Sequence, residues 1–140
     1  MKLSNPGIAE RESWLKSGYR LPAFERNRVK KLTLENPIWI HFGAGNIFRA
    51  FPAALQQQLL DTGESDRGII VCEGYDYEII ERLYRPYDDL SLLVVLNADG
   101  STEKRVIASI MESLVADAEN SADWQRLKEI FRKPSLQLAS

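Results

Sequence analysis

The sequence has 140 residues, is 44% hydrophobic and 27% charged, and carries a net charge of −2 at pH 7, a composition typical of one ordinary globular domain. Acidic and basic residues are interleaved, so there is no basic stripe of the kind that binds nucleic acid or an anionic membrane surface. The apolar runs are too short to cross a bilayer and no apolar signal core precedes them, so we expect a cytoplasmic protein that acts on small molecules.

Cysteine and histidine each occur once. This excludes a disulfide within the chain and a metal site built from closely spaced cysteine and histidine ligands. Cys72 lies in an apolar strand pattern and is expected to be a buried hydrophobic residue. His41 precedes a glycine turn, where a packed or hydrogen-bonded imidazole is favoured over a catalytic one. No Ser-His-Asp set or carboxylate pair indicates hydrolysis, so no catalytic residue is assigned.

Residues 1–36 contain several prolines and glycines, a short helical pattern over residues 8–16 and a basic stretch over residues 26–31. They predict an N-terminal arm that lies on the domain and is not part of its sheet. The basic stretch is expected to be a solvated face. Residues 37–140 are expected to form the domain itself.

A strand pattern at residues 38–42 runs through Gly43 and Gly45 directly into a helical pattern over residues 46–60. Gly43 permits a tight turn, and Gly45 has no side chain to block an approaching pyrophosphate. The N–H groups that begin the helix would supply hydrogen-bond donors to a phosphate. The junction therefore predicts a nucleotide site.

Helical spacing predicts which residues of the 46–60 helix pack on a sheet. Pro52 is expected to kink this helix, and Gly63 to cap its C-terminus. The predicted packing residues are Ile47, Ala50, Ala54, Leu55 and Leu59.

Residues 68–73 form an uninterrupted apolar run, which is typical of a strand buried on both faces of a parallel sheet. A second helix is predicted over residues 76–84. Two antiparallel strands, residues 90–97 and 103–110, are expected to flank a hairpin turn at Asp99-Gly100. Ser121 is expected to cap a helix over residues 122–131 whose apolar face is formed by Trp124, Leu127, Ile130 and Phe131, and a last strand begins at residue 136. This order predicts a Rossmann-like α/β fold, with a mostly parallel sheet, helices on both faces and an inserted β-hairpin.

The segment Gly43-Ala44-Gly45-Asn46-Ile47-Phe48-Arg49 resembles the Gly-x-Gly-x-x-x-Arg signature of the polyol-specific long-chain dehydrogenase family. This family includes mannitol 2-dehydrogenase, fructuronate reductase (mannonate oxidoreductase), tagaturonate reductase and mannitol-1-phosphate 5-dehydrogenase. The resemblance continues through residues 61–63, 69–73, 105–110 and 114–116, and so covers roughly residues 36–139. It implies a Rossmann domain that binds NAD, with the seven signature residues at the cofactor.

The resemblance also implies an oxidoreductase that interconverts a sugar alcohol or aldonate with its keto form, with mannitol/fructose and mannonate/fructuronate as the leading pairs. Arg49 is expected beside the cofactor pyrophosphate, although a surface ion pair is the alternative. Asn46 is expected either to contact the cofactor or to cap the helix. The sugar-alcohol branch often has histidines around this arginine. Here Phe48 and Phe51 occupy those places, so the resemblance does not decide which substrate of the family is used.

Glu73 and Asp76 are the candidates for contacting the adenosine ribose. A carboxylate at this position accepts hydrogen bonds from both ribose hydroxyls of NAD and repels the 2′-phosphate of NADP. In the family the acidic residue precedes the second helix, so Asp76 is the first choice, with a helix N-cap as its alternative role. Glu73 has a solvent-facing strand terminus as its alternative.

In the family, a lysine with asparagine and histidine partners in a helical C-terminal domain supplies the acid/base chemistry, and residues 1–140 contain no such motif. We therefore expect an incomplete Rossmann domain from the N-terminal portion of a longer protein, inactive by itself and able to bind at most a nucleotide. The open final strand predicts self-association or partial disorder near residue 140.

Two other functions fit the same pattern. An S-adenosylmethionine-dependent methyltransferase also places Gly-x-Gly after its first strand and an acid after its second, although the inserted hairpin and Arg49 speak against it. The other alternative is a non-catalytic nucleotide-binding or interaction module.

Overall fold

The computed structural model describes all 140 residues, which form seven strands and seven α-helices. The strands are β1 (Tyr19–Arg20), β2 (Trp39–Phe42), β3 (Ile69–Glu73), β4 (Ser91–Leu96), β5 (Thr102–Ile107), β6 (Ile110–Val115) and β7 (Leu138–Ala139). The helices are α1 (Asn5–Ala9), α2 (Arg11–Lys16), α3 (Arg26–Glu35), α4 (Asn46–Ala50), α5 (Pro52–Asp61), α6 (Glu78–Leu83) and α7 (Ser121–Arg132), with a 3₁₀ turn at Arg85–Tyr87. No helix has both the length and the apolar character needed to span a bilayer.

A four-stranded parallel sheet in the order β6-β3-β2-β7 forms the centre of the fold. All five residues of β3 are buried, as its uninterrupted apolar sequence predicts. Ile70 and Cys72 of β3 pack with α7 on one face, whereas Ile69 and Val71 pack with α4, α5 and α6 on the other. The predicted parallel sheet with helices on both faces is therefore confirmed.

A second sheet holds the predicted hairpin. Strands β4 and β5 pair antiparallel around Asp99-Gly100, and β1 pairs parallel with the free side of β5. Sequence analysis was wrong about the end of the hairpin, because the predicted strand 103–110 stops at Ile107 and the chain crosses at Ala108-Ser109 into the parallel strand β6. No glycine or proline marks this crossing, so the extended sequence gives no local sign that it changes sheets.

Residues 1–36 pack more closely than the predicted arm. Strand β1 belongs to the three-stranded sheet, and Trp14 is buried with Leu90 and Val106. Helix α3 is not a wholly solvated basic face, because Arg26 is only 7% exposed and bonds the backbone of the β5–β6 crossing. None of these residues joins the parallel sheet. The division into an arm of residues 1–36 and a domain of residues 37–140 stays a proposal.

The predicted helix over residues 46–60 is two helices that meet at Phe51, with Pro52 at the first position of α5. Proline fits there because the first N–H groups of a helix have no intrahelical partner. The break confirms the predicted kink, and Gly63 follows the end of α5 at a φ of +77°, as predicted for a glycine C-cap.

The kink changes the phase of the helix, so the predicted packing face is largely wrong. Ala54 is buried, but Ile47, Leu55 and Leu59 are exposed. Gln57 is buried instead: its Nε2 donates to the Val106 carbonyl at 2.8 Å, and its Oε1 accepts from Ala108 N–H at 2.6 Å. A glutamine whose side chain satisfies the hydrogen bonds of backbone groups in a neighbouring segment is buried without the free-energy cost of unpaired polar atoms. The spacing of apolar residues cannot indicate such burial.

Helix α7 forms where it was predicted, but only half of its predicted apolar face is buried. Leu127 and Ile130 are buried against the sheet, whereas Trp124 and Phe131 are exposed. Its cap is Asn120 and not Ser121, because the Asn120 side chain accepts from the N–H of Asp123 at 3.2 Å. The predicted final strand is present as β7, which pairs parallel with β2 and lies at the sheet edge. Self-association through that edge stays a prediction.

Cys72 should be unreactive in the folded protein. Its side chain is 0% exposed within β3, and burial raises the pKa of the thiol to about 12, with the carboxylates of Asp123 and Glu73 adding to the effect. The thiolate is the reactive form, so iodoacetamide at pH 8 should label Cys72 only after unfolding. Mass spectrometry of native and urea-unfolded samples measures this, and rapid labelling of the native protein would contradict the burial.

Candidate functional site

The candidate site lies where β2 and β3 end. These strands are parallel neighbours, so the glycine turn after β2 and the loop after β3 meet at one edge of the sheet, which is where open α/β sheets bind their ligands. Gly43 has a φ of +114°, a conformation that favours glycine, and its N–H donates to the Cys72 carbonyl at 2.8 Å. The turn is thereby joined to β3.

The glycine turn presents unpaired hydrogen-bond donors. The N–H groups of Gly45, Asn46 and Ile47 have no partner within the chain, and no side chain caps α4. Helix α4 has only five residues, so the donors are those of the turn and the first helical residues. Backbone N–H groups at the start of a helix can donate hydrogen bonds to the oxygens of a phosphate group.

Arg49 provides the positive charge at this turn. Its Nη2 donates to the side-chain oxygen of Asn46, and its guanidinium carbon lies 5.7 Å from the centroid of the Tyr84 ring. Its Nε is buried without a hydrogen-bond acceptor. The alternative of a surface ion pair is wrong, because Arg49 is in none of the salt bridges of the structure. Asn46 does not cap the helix, since Gly45 occupies that position.

Glu73 connects the two loops of the site. Its Oε2 accepts from Ala44 N–H at 2.8 Å, and its Oε1 accepts from the N–H groups of Gly74 at 3.0 Å and Tyr75 at 2.9 Å, with Asp76 N–H at 3.4 Å. Burial alone would raise the pKa of Glu73, but these backbone donors together hold it below its ordinary value. The residue is 9% exposed, so the alternative of a solvent-facing terminus is wrong.

Asp76 is the acidic residue that remains accessible. It is exposed, and it does not cap the second helix, because α6 begins two residues later, at Glu78, and has no side-chain cap. The N-cap alternative for Asp76 is therefore wrong. Since Glu73 is engaged by backbone donors, Asp76 is the one of the two candidate carboxylates that is available to a ligand.

A surface cleft of about 520 Å³ brings the predicted residues Gly45, Asn46, Arg49 and Asp76 together. Sequence analysis missed its other wall, which is formed by Glu78, Ile79, Arg82 and Leu83 of α6. Arg82 and Glu78 pair there at 2.9 Å. These four residues form two pairs spaced four positions apart, so helical spacing could have indicated that they share one helix face.

Three other predicted residues do not present side chains to the cleft. Ala44 is buried, the Ile47 side chain is 77% exposed outside the cleft lining, and Phe48 is buried in the core. Phe48 stacks on His41 with ring centroids 4.4 Å apart, and His41 Nδ1 lies 2.9 Å from Ser140 Oγ. The prediction of a packed, hydrogen-bonded histidine is confirmed, and burial lowers its pKa.

Comparison with known proteins shows which proteins are similar to this chain in sequence or fold. No family model matches the chain. It superposes with a TM-score of 0.74 on mannitol 2-dehydrogenase of Pseudomonas fluorescens, solved with NAD and D-mannitol, at 27% identity over 99% of this chain and 26% of that one. It is 53% identical over all 140 residues to D-mannonate oxidoreductase of Thermotoga maritima, of which it covers 26%. The chain is similar over its whole length to members of the polyol dehydrogenase family.

The same fold occurs in D-sorbitol dehydrogenase: its substrate-free form superposes with a TM-score of 0.70 at 22% identity, over 87% of this chain and 24% of that one. The chain thus spans about a quarter of the length of the polyol dehydrogenases that it matches. The family resemblance and the Rossmann-like fold predicted from the sequence are confirmed.

Proposed function

We propose that this chain is the cofactor-binding part of an NAD-dependent oxidoreductase that interconverts a sugar alcohol or aldonate with its keto form. One observation carries the proposal: the unpaired N–H of Gly45, the guanidinium of Arg49 and the carboxylate of Asp76 line a single cleft at the carboxyl ends of β2 and β3. A dinucleotide needs donors for its phosphates and an acceptor for its ribose, which this cleft supplies. The mannitol 2-dehydrogenase that contains NAD supports the same assignment.

The pyrophosphate would lie against the glycine turn. The N–H groups of Gly45, Asn46 and Ile47 would donate to its oxygens, and Arg49 would offset its negative charge. Arg49 is in none of the salt bridges of the structure, so no carboxylate of the chain already neutralises the charge that would face the phosphates.

The adenosine ribose would lie against Asp76, whose carboxylate would accept hydrogen bonds from both hydroxyls. The same carboxylate would repel the 2′-phosphate of NADP. Arg82 lines the cleft as well, but its pairing with Glu78 at 2.9 Å offsets the charge that a 2′-phosphate would need. These charges support a preference for NAD.

The substrate pair is proposed from the relatives. The 53% identity to D-mannonate oxidoreductase favours mannonate/fructuronate over mannitol/fructose. Bound NAD would accept hydride from the substrate carbon, and no residue of this chain is assigned the acid/base role. The rate of NAD reduction by a longer protein that contains this chain tests the pair, and faster turnover of D-mannitol than of D-mannonate would contradict it.

Calorimetric titration of the chain tests the cofactor. NAD should bind more tightly than NADP, and S-adenosylmethionine should not compete with it. Asp76→Ala should weaken NAD binding about 10- to 100-fold, because hydrogen bonds to a charged group contribute about 1.5–3 kcal/mol.

Asp66→Ala is the matched control, since it removes the same charge from an exposed residue near the opposite end of β3. It should bind NAD like the unaltered chain. Equal affinity of both variants for NAD would show that Asp76 does not contact the cofactor. Tight binding of S-adenosylmethionine without NAD binding would refute the oxidoreductase proposal.

A further inference from the structure

The peptide groups on either side of Ala44, the central residue of the glycine turn, are held by two buried hydrogen bonds. Its N–H donates to Glu73 Oε2 at 2.8 Å, and its carbonyl accepts from the Tyr84 hydroxyl at 2.7 Å. Ala44 is fully buried, and Tyr84 is only 1% exposed. Water therefore has no access to replace either bond.

These two bonds act on a segment that would otherwise be mobile. Ala44 lies between two glycines, which have the widest choice of backbone conformations of any residue. Fixing such residues in one conformation is unfavourable in entropy, so an unsupported turn would sample many arrangements before a ligand arrived. Bonds at both the N–H and the carbonyl of Ala44 restrict the rotation of both adjoining peptide groups.

Tyr84 also contacts the cation of the site. Its ring lies 5.7 Å from the guanidinium carbon of Arg49, within the range of a cation–π interaction. Burial, with smaller effects from Asp89 and Glu73, raises the pKa of Tyr84 far above its usual value, against an opposing effect of Arg49. The phenol is therefore protonated at neutral pH and donates a hydrogen bond to the Ala44 carbonyl.

We infer that Tyr84 is a positioning residue of the cofactor site. With Glu73 it holds Ala44 so that the N–H groups of Gly45 and Asn46 already face the cleft in the free protein, while its ring supports Arg49. The inference rests on the proposed function for its link to NAD. It assigns a role to a residue outside the Gly-x-Gly-x-x-x-Arg signature, 40 positions along the chain from Ala44.

Tyr84→Phe tests the inference, because it removes the hydroxyl and keeps the ring. Tyr77→Phe is the control, since the Tyr77 hydroxyl donates to the Ala116 carbonyl at 3.1 Å and makes no hydrogen bond to the glycine turn. Hydrogen exchange followed by NMR should show about tenfold faster exchange of the Ala44 N–H in Tyr84→Phe, and NAD binding should weaken about tenfold. Tyr77→Phe should change neither, and the Val71 N–H in the centre of β3 should exchange equally in all three proteins.

Exchange of the Ala44 N–H at the same rate in both variants would overturn the inference. So would faster exchange at Ala44 and Val71 together, which would indicate general destabilisation, or NAD binding by Tyr84→Phe equal to that of the unaltered chain. If the unaltered chain binds no NAD, the proposed function fails. The exchange rates would then still decide whether Tyr84 holds the turn.

Discussion

Replacing Arg26 with methionine should lower the free energy of unfolding by about 3–5 kcal/mol, the range for removing one partner from a buried charged network. Arg26 Nε donates to the Ala108 carbonyl at 3.1 Å, and Nη2 donates to the carbonyls of Ile110 at 2.9 Å and Asp88 at 2.7 Å. Burial lowers the pKa of Arg26, which Asp89 and Asp88 partly offset. Methionine would leave three carbonyls without their donor.

The same change would disturb the loop that Arg26 supports. Asp88 and Asp89 have φ values of +54° and +60°, a left-handed conformation that is unfavourable for residues other than glycine. Asp89 is also buried, and its Oδ1 accepts from Ser113 Oγ at 2.6 Å. Without the guanidinium, its negative charge would be left in the interior with only that hydroxyl.

Equilibrium unfolding in urea measures the effect. Arg28→Met is the matched control, because Arg28 is an exposed residue of the same helix, and its replacement should change stability by less than about 0.5 kcal/mol. Equal unfolding midpoints for the two variants would show that the Arg26 network contributes nothing. If Arg26→Met fails to fold while Arg28→Met folds normally, the network is supported at the upper end of the expected range.

Gly68→Ala should destabilise the fold by about 3 kcal/mol, the upper end of the usual range for overpacking. A Cβ at this position would lie 2.2 Å from the Ser109 carbonyl oxygen and 2.5 Å from Met111 Cγ. The first of these is backbone at the β5–β6 crossing, and the same oxygen accepts from Ile69 N–H at 2.9 Å. The start of β3 would therefore have to move away from β6.

Gly74→Ala is the control at the opposite end of β3, where an added Cβ meets no atom within 4 Å. It should leave stability unchanged to within about 0.5 kcal/mol. Thermal unfolding of both variants distinguishes them. A melting temperature of Gly68→Ala equal to that of Gly74→Ala would mean that the strand accommodates the methyl group without loss.

Sequence analysis singled out four residues that the structure brings together in one cleft, because the features that position them are local. The glycines of the turn set the backbone between β2 and α4, and parallel pairing of β2 with β3 then brings the loop with Asp76 beside Arg49. Sequence analysis missed the α6 wall of the cleft, and it gave Glu73 as a second candidate for the ribose contact. Both depend on how the loop after β3 folds back on the turn.

The sequence by itself determined the glycine turn after β2, the break between α4 and α5 and the end of α5, because Gly43, Pro52 and Gly63 restrict the backbone at their own positions. Only the tertiary structure decided which polar side chains are buried. Arg26 bonds a carbonyl 82 positions away, Gln57 one 49 positions away and Tyr84 one 40 positions away. A polar group is buried only where partners satisfy its hydrogen bonds, and these partners come together only when distant strands and helices pack.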